Sequence, residues 1–400
     1  MLPHVALLAE GPGMAVYPRV AMVAGEASGD LLAGLVLDGM QAHWPQLDAV
    51  GIGGPHMVQR GFKAWWPSET LAVHGYSMEV LRRLRTLLGI RKQLRERLLR
   101  DPPDVFIGVD APDFNLALEA RLRAAGIKTV HFVCPSIWAW RANRIDKIRR
   151  SVDHVLCIFP FEPDLLAQHG ISATYVGHPL AGVIPLEPDR AAAREALGLQ
   201  HSDTVLAVLP GSRSSEIEYI APAFFKAAAL ILKARPAIKL IVPAVPAHAE
   251  RIAQIAQACG LGDALQVVRG QSHTVLAACD TTLIASGTAT LEAALFKRPM
   301  VIGYHMHPLS WWLMRRKQLQ PWVGLPNILC GEFVVPELLQ NAATPEALCV
   351  EVLAWLDAPL HHPEKIANLE QRFAALHQSL LRDTPRLAAD AIHKILAHGA

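Results

Sequence analysis

A chain of 400 residues, 52% of them hydrophobic, is long enough for two domains of ordinary size and can fill a core in each, which excludes disorder on a large scale. Its 38 Lys plus Arg nearly balance 36 Asp plus Glu, whereas a dedicated nucleic-acid binder would carry a marked basic excess. Six scattered cysteines (Cys134, Cys157, Cys259, Cys279, Cys330, Cys349) form no CxxC pair and no zinc-like spacing, so they read as reduced, mostly buried thiols of a cytosolic protein.

Residues 1–18 lack a basic n-region and are broken by Gly and Pro. They read as an N-terminal extension or an extra strand, not a signal peptide. From residue 19 short apolar runs alternate with helix-like stretches: VAMVAG (20–25), AVGIGG (49–54), DVFIGVD (104–110), KTVHFV (128–133) and HVLCIF (154–159). The runs are continuous where a half-exposed strand would alternate, which predicts parallel strands covered on both faces and hence a doubly wound α/β domain. Between the second and third runs, 78–100 carries eight basic against two acidic residues, with apolar residues at 80, 81, 84, 87, 88, 94 and 98. That pattern suits an amphipathic helix lying on anionic lipid; the plainer alternative is a pair of surface helices broken at Gly89.

The Pro-rich stretch 177–190 interrupts the pattern, which then restarts with TVLAVLPG (204–211), a helix from about Glu216 to Ala234, IKLIVPAV (238–245), a helix over 248–259, LQVVRG (265–270), DTTLIASG (280–287) and PMVIGY (299–304). These features predict domains at 19–185 and 186–365, followed by helices over 366–400. No stretch reaches 18 apolar residues free of charges and prolines, so no transmembrane helix is expected.

Four strand-end loops could do chemistry. VAGEASGD (23–30) allows a tight turn at Gly25 and Gly29, while Ser28 and Asp30 can cap helix donors. Asp110 closes an apolar strand, where a carboxylate can act as general base or simply hold the loop. In LPGSRSSEIEYI (209–220), Gly211 leaves room for close approach, Ser212 offers a hydroxyl and Arg213 a bidentate phosphate donor ahead of a helix start; the alternative is a capping box closed by Glu216 or Glu218. Ser286, Gly287 and Thr288 make a small-residue turn at another helix start. Glu292, one turn on, could accept hydrogen bonds from sugar hydroxyls. Neither GxGxxG nor GxxxxGK[ST] occurs, so the two loops suggest a nucleotide diphosphate held without a P-loop. Two aromatic and basic segments complete the survey. CPSIWAWRANRIDKIRR (134–150), with Arg141, reads as a helix with a basic solvated face. YHMHPLSWWLMRRKQL (304–319), with Trp311, Trp312, Arg315, Arg316 and Lys317, reads as an interface with lipid or another subunit. His305 and His307 have no acidic cluster beside them, and no metal site is expected.

Taken together, VAGEASGD, GIGGPHM (51–57), ETLAVHGYSMEVLRRL (69–84), PDVFIGVDAPDFN (103–115), PSIWAWR (135–141), VGHPL (176–180), LPGSR (209–213), SGTATLEAAL (286–295) and LPNIL (325–329) make the chain resemble the bacterial lipid-A-disaccharide synthases, from about residue 19 onward. The resemblance implies the GT-B fold, two Rossmann-like domains facing across a cleft, with C-terminal helices crossing back to the first domain. It also implies inverting transfer of 2,3-diacylglucosamine from UDP-2,3-diacylglucosamine to the 6-hydroxyl of 2,3-diacylglucosamine 1-phosphate. The products would be a β-1',6-linked disaccharide 1-phosphate and UDP, with no cofactor and no obligatory metal. Carried over by motif, the base falls on Asp110, the first-domain substrate loop on Glu26, Ser28 and Asp30, and the UDP site on Gly211, Ser212, Arg213, Gly287, Thr288 and Glu292, with Asn327 from LPNIL. The family further implies a cytoplasmic enzyme of Gram-negative bacteria peripherally bound to anionic lipid of the inner membrane. Some members are homodimers with exchanged C-terminal parts. Two departures stand out: the first 13 residues precede the usual start at a methionine such as Met14, and His74 stands where methionine is expected. The competing readings are a GT-B transferase or epimerase acting on a non-acylated UDP-sugar, and a sugar-nucleotide binder without chemistry.

Overall fold

The structure, a computed structural model, describes residues 17–71, 78–139, 144–306, 311–312, 316 and 319–397, without the side chains of 26–27 and 78–84. Met14, His74, Arg141, His307, Arg315 and Lys317 lie outside the described residues, as does the side chain of Glu26. The chain forms two units, Met1–Pro135 with Ile145–Val176 and Asp383–Ala400, and Ser136–Arg144 with Gly177–Arg382.

The first unit is built on β1 (Arg19–Ala24), β2 (Asp48–Gly53), β3 (Lys63–Pro67), β4 (Val105–Val109), β5 (Lys128–Phe132), β6 (His154–Cys157) and β7 (Ala173–Tyr175). They pair in parallel in the order β3-β2-β1-β4-β5-β6-β7. Val20 through Ala24 are fully buried, as a strand covered on both faces must be. Ile90, Leu94 and Leu98 of the helix Met78–Arg100 and Leu118 and Leu122 of the helix Pro112–Ala124 share one apolar cluster with Ala21, Val23, Ile52 and Phe106. The four-residue spacing of 90, 94 and 98 puts them on one helix face. That helix runs unbroken through Gly89, so the expected alternative of two shorter helices does not form. The helix Glu26–His43 packs against the last helix, Thr384–Ala397. Their approach is so close that a Cβ at Gly39 would stand 1.9 Å from the Pro385 carbonyl oxygen. Glycine is required there.

The second unit repeats the design with β8 (Val205–Leu209), β9 (Lys239–Ala244), β10 (Leu265–Arg269), β11 (Thr281–Ala285), β12 (Met300–Tyr304) and β13 (Glu337–Leu339), all parallel, in the order β10-β9-β8-β11-β12-β13. Asp280 accepts from the fully buried Arg194 (3.0 Å), from Arg190 and from the Val205 amide (2.7 Å), tying the helix Arg190–Ala196 to this sheet. Among the described residues no helix is long and apolar enough to cross a membrane.

The chain changes units at 176/177 and 382/383, not at the boundaries expected at 185/186 and 365/366. Prolines mark where regular structure pauses, whereas membership is decided by contacts. The His178 amide donates to the Leu380 carbonyl (2.9 Å) and the helix Pro363–Leu380 packs on Pro179–Val183, which keeps both with the second unit. Thr384 Oγ1 donates to the Val176 carbonyl (2.9 Å) and begins the part that belongs to the first. Residues 136–139 and Arg144 were likewise expected in the first domain; in the structure they belong to the second unit.

Candidate active site

In a doubly wound sheet, ligands gather at the carboxyl ends of the strands where the strand order reverses. In the first unit that point lies between β1 and β4, whose following turns, at Gly25 and at Asp110 and Ala111, lead into the helices Glu26–His43 and Pro112–Ala124. They meet: a Cβ on Gly25 would be 3.8 Å from that of Ala111. Asp110 is exposed and sits with Ala111 in the left-handed region, at φ 50° and 42°. Two successive non-glycine residues in that region cost on the order of 1–3 kcal/mol each. Their geometry is held by the Asp110 amide donating to the Phe132 carbonyl (2.9 Å) and by Asn115 Nδ2 donating to the Asp110 carbonyl (2.8 Å). Beneath this loop a buried Glu119 pairs with His131 Nδ1 at 2.7 Å, and burial raises the Glu119 carboxyl above its ordinary range.

Ser28 is exposed and Asp30 is buried. The Asp30 carboxylate accepts from the amides of Gly54 (2.7 Å), His56 (2.8 Å) and Met57 (3.2 Å), fixing the GGPHM turn after β2. Its charge serves the backbone of its own unit.

The second unit reverses order between β8 and β11, and the loops that follow them share one cavity of about 420 Å³. Gly211, Ser212, Arg213, Gly287, Thr288 and Glu292 all line it. Gly211, at φ 116°, lies so close to Glu216 that a Cβ would fall 2.6 Å from the glutamate's own. Glu216 accepts from the Ser212 amide (3.1 Å) and the Arg213 amide (3.3 Å) at the start of the helix Ser214–Ala234, and Arg213 Nη1 lies 3.4 Å from its carboxylate. Only one half of a capping box exists, since a guanidinium cannot accept. The helix Thr288–Leu295 opens on the same cavity through Thr288 and Ala289. Two helix starts and an exposed guanidinium around one hollow are suited to an anion. On its wall Glu292 is largely buried, which pushes its carboxyl up to about 7. His273 Nε2 stands 3.8 Å away, lowered by its own burial.

Asn327 does not line this cavity. Its Nδ2 donates to the Val335 carbonyl (2.9 Å) and Glu337 (2.8 Å), and its Oδ1 accepts from the amides of Val334 (2.8 Å) and Val335 (3.0 Å). Two donor and two acceptor positions are all an amide has, so the side chain is spent on shaping the turn around LPNIL. Residues that sequence reasoning did not single out also line the cavity, among them Val245 after β9, Ser272 after β10 and Tyr304 closing β12. Each sits at the carboxyl end of a parallel strand, the signal by which they could have been found. Among the described residues no group of three His, Cys, Asp or Glu is placed to hold a metal ion.

Two doubly wound units, the second with a cavity at the carboxyl ends of its strands, are the architecture of the GT-B class. Solved structures of that kind share the fold. A UDP-GlcNAc 2-epimerase from Neisseria meningitidis bound to UDP-GlcNAc superposes with a TM-score of 0.61 at 12% identity, covering 95% of this chain and 100% of the other. A glycosyltransferase from Rickettsia africae gives a TM-score of 0.56 at 10% identity, covering 96% and 99%. The family model described as Lipid-A-disaccharide synthetase matches residues 20–392. The lipid-A-disaccharide synthase of Verminephrobacter eiseniae is 71% identical over 387 residues, 97% of this chain and 100% of its own; that of Bordetella pertussis is 51% identical over 396 residues, 96% and 99%. The chain belongs to the lipid-A-disaccharide synthase family and is an inverting hexosyltransferase.

Proposed function

We propose that the second unit grips the UDP of the donor and that Asp110 of the first serves as the base. The family's reaction moves 2,3-diacylglucosamine from its UDP carrier to the 6-hydroxyl of 2,3-diacylglucosamine 1-phosphate, releasing UDP. The observation that carries the site assignment is the cavity that gathers six motif residues from three loop and helix segments. In this reading the diphosphate lies against Arg213 and the first turns of the helices Ser214–Ala234 and Thr288–Leu295, and Glu292 accepts from the ribose hydroxyls. Negative charge grows on the diphosphate as the anomeric bond breaks, and fixed donors stabilise that charge without reorganising. Asp110 takes the proton of the attacking hydroxyl while the sugar inverts. One carboxylate suffices, because the departing UDP needs no proton at the sugar oxygen.

Contact with anionic lipid is assigned to the helix Met78–Arg100. Arg91, Lys92, Arg95 and Arg121 surround a groove of about 310 Å³ floored by Leu88 and Leu118, a fit for anionic headgroups above an apolar base. The decisive experiment supplies UDP-diacylglucosamine with its acylated 1-phosphate acceptor and measures tetra-acyl disaccharide phosphate and UDP together. Asp110→Asn should lose turnover at least 100-fold and keep UDP affinity. Full turnover in that variant removes Asp110 from the mechanism.

A further inference from the structure

Beside the nucleotide cavity the second unit holds another hollow of about 460 Å³, within the size range of small-molecule sites. Its walls are apolar, with Trp138, Trp311, Trp322, Leu325, Ile328 and Leu339 prominent, and no charged side chain stands among its described lining residues. Ser286, Gly287, Thr288 and Tyr304 line both hollows, so the two share a rim at the anion-binding turn. A molecule with its diphosphate on Gly287 and Thr288 therefore has its next substituents at the mouth of the apolar hollow.

The walls are fixed in place by bonds that the hollow's occupant would not disturb. The Leu319 amide donates to the Ala139 carbonyl (3.0 Å), holding the segment of Trp138. Glu337 accepts from the amides of Val323 and Gly324 (2.9 Å each), fixing the turn that carries Trp322 and Leu325. Ser286 Oγ is spent on the Val323 carbonyl (3.1 Å).

We infer that this hollow receives an acyl chain of the donor. The inference rests on the UDP assignment above and adds to it that the second unit reads the lipid half of the donor as well as the nucleotide. The shared rim selects the donor over the acceptor, because the anion-binding turn is the donor's. Burial of apolar surface then gives affinity in proportion to chain length, about four-fold for each methylene enclosed, until the hollow is full.

The test is calorimetric titration of the full-length protein with UDP, UDP-N-acetylglucosamine and UDP-diacylglucosamines of graded chain length. The parent should bind the long-chain donors more tightly than UDP, with affinity falling about four-fold per methylene removed. Ile328→Trp, which narrows the hollow, should flatten that dependence and leave UDP affinity within about two-fold; retained UDP binding also reports that the variant is folded. Chain-length dependence that survives Ile328→Trp overturns the inference while leaving the UDP assignment standing, whereas a parent that fails to bind UDP overturns both. A second measurement needs no variant. A donor brominated along its acyl chain should quench tryptophan emission and a brominated acceptor should not; quenching by the acceptor alone, or by neither, overturns the assignment.

Discussion

Replacing Asp30 separates a residue that contacts substrate from one that holds up its surroundings. Its buried carboxylate receives three backbone amides at 2.7, 2.8 and 3.2 Å, and hydrogen bonds to a charged group contribute about 1.5–3 kcal/mol each before non-additivity. Asp30→Ala leaves three amide donors without their acceptor, two of them buried, for a loss of about 2–6 kcal/mol at about 1–3 kcal/mol for each buried one. Asp30→Asn keeps the shape but can present only one oxygen. Keeping Oδ1 on Gly54 and Met57 turns its NH₂ toward the His56 amide, a loss of about 1–3 kcal/mol. For a unit of this size that is a fall of roughly 2–12 °C in Tm. The assay is a thermal scan followed by near- and far-ultraviolet circular dichroism, with UDP titrated at 25 °C. Both variants should melt earlier and bind UDP as the parent does. An Asp30→Asn protein with the parent's Tm but turnover down 100-fold would refute this reasoning and return Asp30 to the substrate.

Glu292 supplies a pH prediction. Burial holds its carboxyl near 7 against an ordinary 4.5, so between those values the folded protein keeps a proton that the unfolded chain has released. Its contribution to stability is therefore full below about pH 4.5 and is lost as the pH rises through about 7; Glu292→Gln should raise Tm at pH 8 more than at pH 5, and an equal shift at both would count against this assignment. Glu216 occupies amides that a diphosphate would use, so Glu216→Gln should tighten UDP binding several-fold by calorimetry and lower helix stability by about 0.3–1 kcal/mol. Weaker UDP binding would mean that Glu216 supports the site instead of competing for it. Converting Lys92, Arg95 and Arg121 together to Ala should cut partitioning onto phosphatidylglycerol vesicles about 100-fold, at about 1 kcal/mol for each charge near the surface. Sedimentation equal to the parent's would end the lipid assignment.

Central strands were legible because burial on both faces writes them as unbroken apolar runs: VAMVAG became β1, DVFIGVD β4 and TVLAVLPG β8. Of the edge strands only β10, read as LQVVRG, was. β3 (KAWWP) is half-exposed along its length, and β7 (ATY) and β13 (ELL) have three residues each, too few to show a period. The two loops that share the cavity could be picked out because glycine, small hydroxyl residues and arginine before a helix start are suited to an anion there. Glu216 shows where local reading stops: a cap and an anion site employ the same amides, and the sequence offered both without ranking them. The apolar hollow could not be foreseen, since Trp138 lies far along the chain from Trp311 and Trp322 and only tertiary packing gathers them.

Gly39 and its neighbour Pro385 bear on the order in which the protein can be made. All seven strands of the first sheet have been synthesised by residue 176, yet the helix that rests against Glu26–His43 is not read out until Thr384–Ala397. At ribosomal speeds of about 5–20 residues per second the delay is roughly 10–40 s. During that interval the nascent amino-terminal half carries a bare apolar face, a substrate for chaperones, and a chain broken off before Thr384 leaves uncovered the half that was translated first.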